Sequence, residues 1–411
     1  MARILVLDGH SPATLAFTRS LGRAKHWVAV GSHQGSDAPA EFSRYSRLST
    51  RYPVPSEDAS GFVETVLGFA RRNEIELIIP VTDLTIGPLS KYRDQFQGVS
   101  HLTVGAHGAI EVAADKFQTV CLARELGIPV PETTLVSSLD DLEGIVGNLV
   151  RNVGFPVVVK DRFSTRWKGN RAVMGSVVYA YSMDDLKQKV EHRLKEAGDA
   201  MVQQFVQGEG VGFSCLAAEA NVYLPFMWSR LREIDPRGSG SSAQRSIPVM
   251  AGIQESSGDL VRRVGLEGIC MVEFKRPHHG GPPVLMEINA RPWGSIPLPI
   301  ACGIDYPRLW VDWLLTGKLP PHEIEYKKGI TCRRLVSELT HLTHTFHGTP
   351  PGWPVPYPGF LQTLLKISVP WYPGMRYADV WFSDPSPGVA GLARWFGSHL
   401  QRSKPKPKSV G

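Results

Sequence analysis

Over the first hundred residues, short apolar runs alternate with amphipathic stretches. Residues 3–7 (RILVL), 27–30 (WVAV) and 76–81 (ELIIPV) read as strands, and TLAFTRSLGRA and FVETVLGFARRN between them read as helices. Apolar runs without polar alternation mark strands buried on both faces, as in a parallel sheet covered by crossover helices. The pattern predicts an open-sheet α/β domain over residues 1–110. The turn after the first run is DGHSPAT, which lacks the GxGxxG spacing of a dinucleotide-binding turn. This argues against a dehydrogenase.

Near residue 110 the pattern changes. Asp115-Lys116 opens a helical stretch, FQTVCLAREL, which stops at Gly127 before the proline-punctuated IPVPETTLV. A helix over about 139–151, a strand FPVVVKD (155–161), a polar loop RFSTRWKGN, a helix over about 184–196 and a strand MVQQFV (201–206) follow. Gly208, Gly210 and Gly212 punctuate the entry to two longer strands. GICMVEF and PVLMEIN, joined by KRPHHGGPP, predict a hairpin, and YPRLWVDWLLTG (306–317) an amphipathic helix. This order predicts a two-lobed α+β domain over 111–325, with a small lobe at about 111–200 and a large lobe at about 201–325. Residues 326–411, crowded with prolines and aromatics, read as a small irregular C-terminal segment ending in a basic tail.

With 411 residues, 42% of them hydrophobic and 20% charged, the chain has room for two to three domains and a core that needs no disulfides. Five scattered cysteines without a CxxC pair fit a reducing compartment. The first apolar run is too short for a signal peptide, and no window approaches a membrane span, so a cytoplasmic protein is expected. The net charge is +6, of which Arg402, Lys404, Lys406 and Lys408 supply four. A body so balanced gives no nucleic-acid footprint. The tail reads as a solvated end, with contact to an anionic lipid surface as the alternative. Trp353, Tyr357, Trp371, Tyr372 and Trp381 read as packing, with a partner- or membrane-apposed surface as the alternative. His341, His344 and His347 lack the usual i, i+4 pair of a helical Zn²⁺ site, which is kept only as the alternative, and any function of theirs is left open. Oligomeric state is left open.

The candidate chemistry centres on two acids. Glu273 lies on one predicted strand, and Glu287 and Asn289 lie on the next, where i and i+2 share a face. The hairpin brings Glu273 alongside them. Met271, Val272, Phe274, Leu285, Met286 and Ile288 flank the acids, and carboxylates in such surroundings are costly without a cation. Three hard oxygen donors suit Mg²⁺, and Arg291 continues the same face. Lys160 ends an apolar strand and Lys116 begins a helix. The loop from Arg162 to Arg171, with four cations and Gly169, suits a polyphosphate, a plain surface loop being the alternative. Gln203, Phe205 and Val206 offer a polar edge and an apolar slot for an adenine ring, with Glu209 in reach of a ribose. Arg230 and Arg232, two apart on a predicted strand, are expected to share a face and grip a carboxylate substrate, the alternative being a solvated strand edge. RGSGSS (237–242) reads as a flexible loop that can close over it.

In order, DKFQTVCLARELGIPVPET, FPVVVKD, VQQFVQGEGVGFS and CMVEF…VLMEINARPWGS resemble the ATP-grasp superfamily of ligases over about residues 110–320. SR (43–44), PVTDLT (80–85), SRLREIDPRGSGSS (229–242) and EINARPWGSIPLPIACGIDYP (287–307) are similar to a group of predicted carboxylate–amine ligases within it. The resemblance implies an ATP-binding fold like that of carbamoyl-phosphate synthase and biotin carboxylase, preceded by an α/β domain. It implies that Lys116 and Lys160 contact ATP phosphates, and that Gln203, Phe205 and Val206 hold adenine. Glu209 would meet the ribose, and Glu273, Glu287 and Asn289 would hold Mg²⁺, with Mn²⁺ as the substitute ion. Arg291 and Lys160 would be catalytic, and Arg230, Arg232 and Ser295 would meet the substrate. Asp161, Gln203 and Pro292 depart from the usual pattern without removing a charged catalytic group. The implied activity is ATP-dependent joining of a small-molecule carboxylate to an amine through an acyl phosphate. The alternatives are transfer of that acyl group to a thiol or other acceptor, and a non-catalytic ATP-binding regulatory protein.

Overall fold

The computed structural model describes residues 1–140 and 142–402. The basic tail at Lys404, Lys406 and Lys408 lies outside the described residues. Among the described residues no helix is long and apolar enough to cross a membrane.

The N-terminal unit is a parallel sheet of β1 (Arg3–Val6), β2 (Trp27–His33), β3 (Ser46–Tyr52), β4 (Leu77–Ile79) and β5 (His101–Leu102), in the order β3-β2-β1-β4-β5. The first apolar run has no polar break because both faces of its strand are covered. Ile4 and Val6 join a core with Phe17 and Leu21 of the helix Pro12–Arg23. Leu5 and Leu7 join a second core with Phe62, Val66 and Phe69 of the helix Ala59–Arg72. The first core continues into the C-terminal half of the chain, where it takes in Ile269, Met271, Trp293, Tyr306 and Trp310. This shared packing fixes the N-terminal unit against the large lobe.

The small lobe contains β6 (Thr133–Val136), β7 (Val157–Lys160), β10 (Val177–Ala180) and β11 (Ala200–Gln204) in the antiparallel order β10-β7-β11-β6. Val157, Val159, Ala200 and Val202 pack on Leu186 and Val190 of the helix Met183–Ala197. Strand alternation therefore turns Val158, Lys160, Met201 and Gln203 to the other face. The expected polar loop is a hairpin of β8 (Thr165–Lys168) and β9 (Arg171–Met174). Its tip docks on the N-terminal unit. Asn170 donates to Asp58 at 2.9 Å and accepts from the Ser60 amide at 2.7 Å, and the Ala172 amide donates to the Ser56 carbonyl at 2.8 Å.

The large lobe is a seven-stranded sheet. Its strands are β12 (Gly208–Ala218), β13 (Asn221–Glu233), β14 (Ser241–Ile247), β15 (Gly268–Pro277), β16 (Val284–Asn289), β17 (Thr331–Arg333) and β18 (Met375–Tyr377), in the order β16-β15-β12-β13-β14-β17-β18. The last two correct the reading of residues beyond 326 as an irregular segment. That region supplies two strands to this sheet and the helices Leu335–Phe346, Phe360–Ser368 and Ser386–Arg402. It also reaches the N-terminal unit. Arg19 donates to Asp384 at 2.8 Å inside the protein, and Ser43 Oγ (2.7 Å) and the Arg44 amide (2.8 Å) donate to the same carboxylate. The SR pair thus holds two parts of the chain together.

Glu338 is fully buried and accepts from Arg232 at 2.9 and 2.6 Å, from Arg333 at 3.0 Å and from Ser242 at 2.8 Å. Removing one partner of such a group leaves uncompensated buried charge. Glu338→Ala is expected to destabilise the fold by about 3–5 kcal/mol, read as a lower urea midpoint. An unchanged midpoint would show that the cluster does not hold the C-terminal segment in place.

Candidate active site

Glu273 on β15 and Glu287 on β16 are direct cross-strand partners, as are Met271 and Asn289. Opposed residues of an antiparallel pair project from the same face, so both acids and Asn289 share one side of the sheet. Val272, Phe274, Leu285 and Ile288 fill the core on the other side. Asn289 Nδ2 donates to Glu287 Oε1 at 3.1 Å. Burial raises the pKa of Glu273, and the Glu287 charge adds to this while Arg230 opposes it.

Arg230 reaches Glu273 by crossing β12, which lies between its own strand and β15. The glycines of β12 make this crossing feasible. A Cβ on Gly210 would stand 2.7 Å from Arg230 Cδ, and one on Gly212 would stand 2.2 Å from the Trp228 ring. The guanidinium also donates to Glu233 at 3.0 Å and to the Ser239 carbonyl at 2.6 Å. RGSGSS is therefore folded against Arg230. Arg232 does not join it. β-Bulges on either side of Arg232 interrupt the two-residue alternation, and its guanidinium is committed to Glu338. The expected arginine pair is corrected to one arginine at the site and one in the fold.

Lys160, almost fully buried, faces the acids from the small lobe. Its pKa is pushed down to about 8 by burial, with the Lys116 charge acting in the same direction and Glu287 opposing. Burial also lowers that of Lys116, against the attraction of Glu287. Lys116 Nζ donates to Ser164 at 2.8 Å. Asp115 caps its helix through the Phe117 and Gln118 amides and accepts from Arg162 at 2.8 Å. Arg166 pairs with Asp199, so two of the loop's four cations already have carboxylate partners. Asp161 accepts from Arg193 and from the Ser176 amide. Arg291 donates to Asp83 of the N-terminal unit at 2.8 Å. Asp83, Ser164 and Glu233 had no assigned role in the sequence, although Asp83 stands within PVTDLT. In the same segment the Val81 and Thr82 amides and the Thr85 hydroxyl donate to Asp8.

Gln203 is buried and donates to Thr133 at 2.8 Å. Phe205 packs edge-on against Tyr179 and Trp353, with ring centroids 5.7 and 5.5 Å away. The Val206 carbonyl accepts from Lys275 at 2.9 Å. Glu209 pairs with Arg276. Phe205, Glu209, Arg230, Lys275 and Trp353 line one cavity of about 480 Å³. A second, of about 600 Å³, lies between Asp83, Trp167 of the hairpin and Asn289. Ser295 precedes the helix Pro297–Cys302, where its carbonyl accepts from Gln244 and the Leu298 amide. No cluster of three or more His, Cys, Asp or Glu among the described residues is arranged to hold a metal. His341 is buried against the Glu233 carbonyl instead, and His347 bonds the Thr343 carbonyl. The donor set available at the site is two carboxylates and an amide oxygen. These are hard ligands that fit Mg²⁺ in kind.

Two lobes facing each other across lysines and carboxylates, behind an α/β unit, give the chain a fold similar to that of solved ligases and a biotin carboxylase. A family described as ATP-grasp in the biosynthetic pathway with Ter operon matches residues 196–337. A probable alpha-L-glutamate ligase of Alcanivorax borkumensis is 30% identical over 205 residues, which span 48% of this chain and 62% of that relative. The fold is similar to that of an L-amino acid ligase from Bacillus licheniformis, with a TM-score of 0.60, 16% identity and 78% of each chain covered. It is also similar to N5-carboxyaminoimidazole synthetase from Staphylococcus aureus, with a TM-score of 0.62, 16% identity and coverage of 86% of this chain and 87% of that one.

Proposed function

We propose that the protein is an ATP-dependent ligase that joins a carboxylate to an amine through an acyl phosphate. One observation carries this reading: Glu273 and Glu287 are cross-strand partners on a face toward which buried Lys160 and Lys116 bring positive charge. A carboxylate is a poor electrophile. A carboxylate oxygen of the substrate attacks the γ-phosphorus of ATP and ADP leaves. The amine nitrogen then attacks the acyl carbon, phosphate leaves, and the nitrogen sheds a proton as the amide forms. Phosphoryl transfer depends mainly on positioning and charge neutralisation. In this reading Lys116 and Lys160 neutralise phosphate oxygens. Arg291, oriented by Asp83, faces the negative charge that develops on the acyl oxygen as the amine adds. Arg230 holds Glu273 in place through its other bonds to Glu233 and Ser239. Gln203, Phe205, Val206 and Glu209 position the nucleoside. Glu273, Glu287 and Asn289 would hold Mg²⁺, which when bound supplies Lewis-acid polarisation of phosphoryl oxygens. The cavity between Asp83, Trp167 and Asn289 adjoins these groups and has room for a small substrate.

The alpha-L-glutamate and L-amino acid ligases point to amino acids as the first substrates to try. The purified protein is expected to release ADP and phosphate only when a carboxylate and an amine are both present. The product should have the summed mass of the two less one water. ATP bound but never turned over with any pair would favour a regulatory protein instead.

A further inference from the structure

We propose that the helix Phe360–Ser368 and the chain flanking it form a surface that docks on an anionic lipid bilayer. The inference is independent of the ligase reading. Leu361, Leu364, Leu365 and Ser368 fall at i, i+3, i+4 and i+7, so the three leucines share one side of the helix. That side is uncovered: Leu361 is 71% exposed and Leu365 72%. Phe346, 70% exposed, extends the patch through its edge-on contact with Phe360, with ring centroids 5.4 Å apart. Val369 and Trp371, also exposed, continue it along the chain beyond the helix. Single exposed apolar residues need no explanation. A cluster of this kind on one element marks an interaction surface.

Charge identifies the occupant. From residue 339 to 378 there is no Asp or Glu in 40 positions, where the chain's overall 39 in 411 would give about four. Of the basic residues in that stretch Arg376 is exposed, while Lys366 is turned toward the 480 Å³ cavity and His341 is buried. From 385 to 411 there is again no acid; Arg394 is paired with Asp37 at 2.7 Å, and Arg402, Lys404, Lys406 and Lys408 supply four further cations in the sequence. The two acids in between are turned to structural work. Asp384 holds Arg19 and Ser43, and Asp379 accepts from the Leu335 and Val336 amides. A protein partner tolerates either sign of charge. A surface of lipid phosphates disfavours carboxylates and attracts scattered lysines and arginines. Leucine and phenylalanine on one side of a short helix, a nearby tryptophan and cationic flanks are the composition of an element lying in a bilayer interface. The opposite side of the helix has another task, since Gln362, Thr363 and Lys366 line the 480 Å³ cavity with Glu209 and Arg230. One helix thus separates that cavity from the surface assigned to lipid.

Co-sedimentation of the full chain with vesicles tests this. Vesicles of phosphatidylcholine with phosphatidylglycerol are expected to bind the protein, and more weakly as salt rises. Vesicles of phosphatidylcholine alone should bind at least about tenfold less. The double variant Leu361→Glu/Leu365→Glu should lose about tenfold or more of the anionic-vesicle binding, with its melting temperature and nucleotide affinity unchanged. Trp371→Ala, at a residue 61% exposed, should lose part of it. Absence of binding to anionic vesicles, or equal binding by the double variant, would overturn the proposal. So would light scattering that shows a wild-type dimer in free solution and a monomeric double variant, which would assign the face to a second copy.

Discussion

Glu287→Gln should lower ATP turnover by on the order of a thousandfold, the scale seen when one preorganised charge-stabilising group is removed. The substitution keeps the side chain's shape and leaves an oxygen to accept from Asn289 Nδ2. It removes the negative charge that opposes the lowered pKa of both Lys160 and Lys116. The loss should therefore appear in turnover and not in the melting temperature. Glu287 sits on a sheet face only half buried, and the core behind it is built by Leu285 and Ile288. Turnover within a few-fold of wild type would remove Glu287 from the chemistry.

Lys160→Ala should weaken ATP binding by about a hundredfold, on the basis of about 3 kcal/mol for a charge-assisted contact to phosphate. The wild-type protein should show a matching pH dependence. In the free protein the ammonium titrates at about 8, below the ordinary lysine value, because the group is buried beside Lys116. A bound phosphate favours the charged form and raises the pKa. Affinity should then be flat below pH 8 and fall above it, as the free protein must take up a proton to bind. In Lys160→Ala the fall above pH 8 should be absent. Calorimetric titration across pH 6.5–9.5 reads both effects, and a wild-type affinity that rises with pH would contradict this role for Lys160.

The parts of this site that were readable in the sequence are those set by local periodicity. The pairing of Glu273 with Glu287 follows from two-residue alternation on strands joined by a Gly/Pro-rich turn. Lys160 is marked by the unbroken apolar run before it. The place of Arg232 is not legible in the sequence, because a bulge leaves no trace in residue type and its partner Glu338 lies 106 positions away. The C-terminal strands β17 and β18 have three residues each, too few to show a period. Gly210 and Gly212 were visible as punctuation. Their purpose, room for Arg230 and Trp228 to cross a strand, depends on which strands become neighbours. The task of Asp83 is not legible in PVTDLT, since only the shared core of the N-terminal unit and the large lobe brings it to Arg291.

In the proposed reaction the two acids and Asn289 would together hold Mg²⁺ beside the nucleotide. The most direct measurement is calorimetric titration of a non-hydrolysable ATP analogue into wild-type and Glu273→Gln/Glu287→Gln protein, each with Mg²⁺ and with a chelator. Mg²⁺ is expected to strengthen binding to the wild type by at least about tenfold and to have no effect on the double variant. Equal enhancement by Mg²⁺ in both proteins would contradict this role.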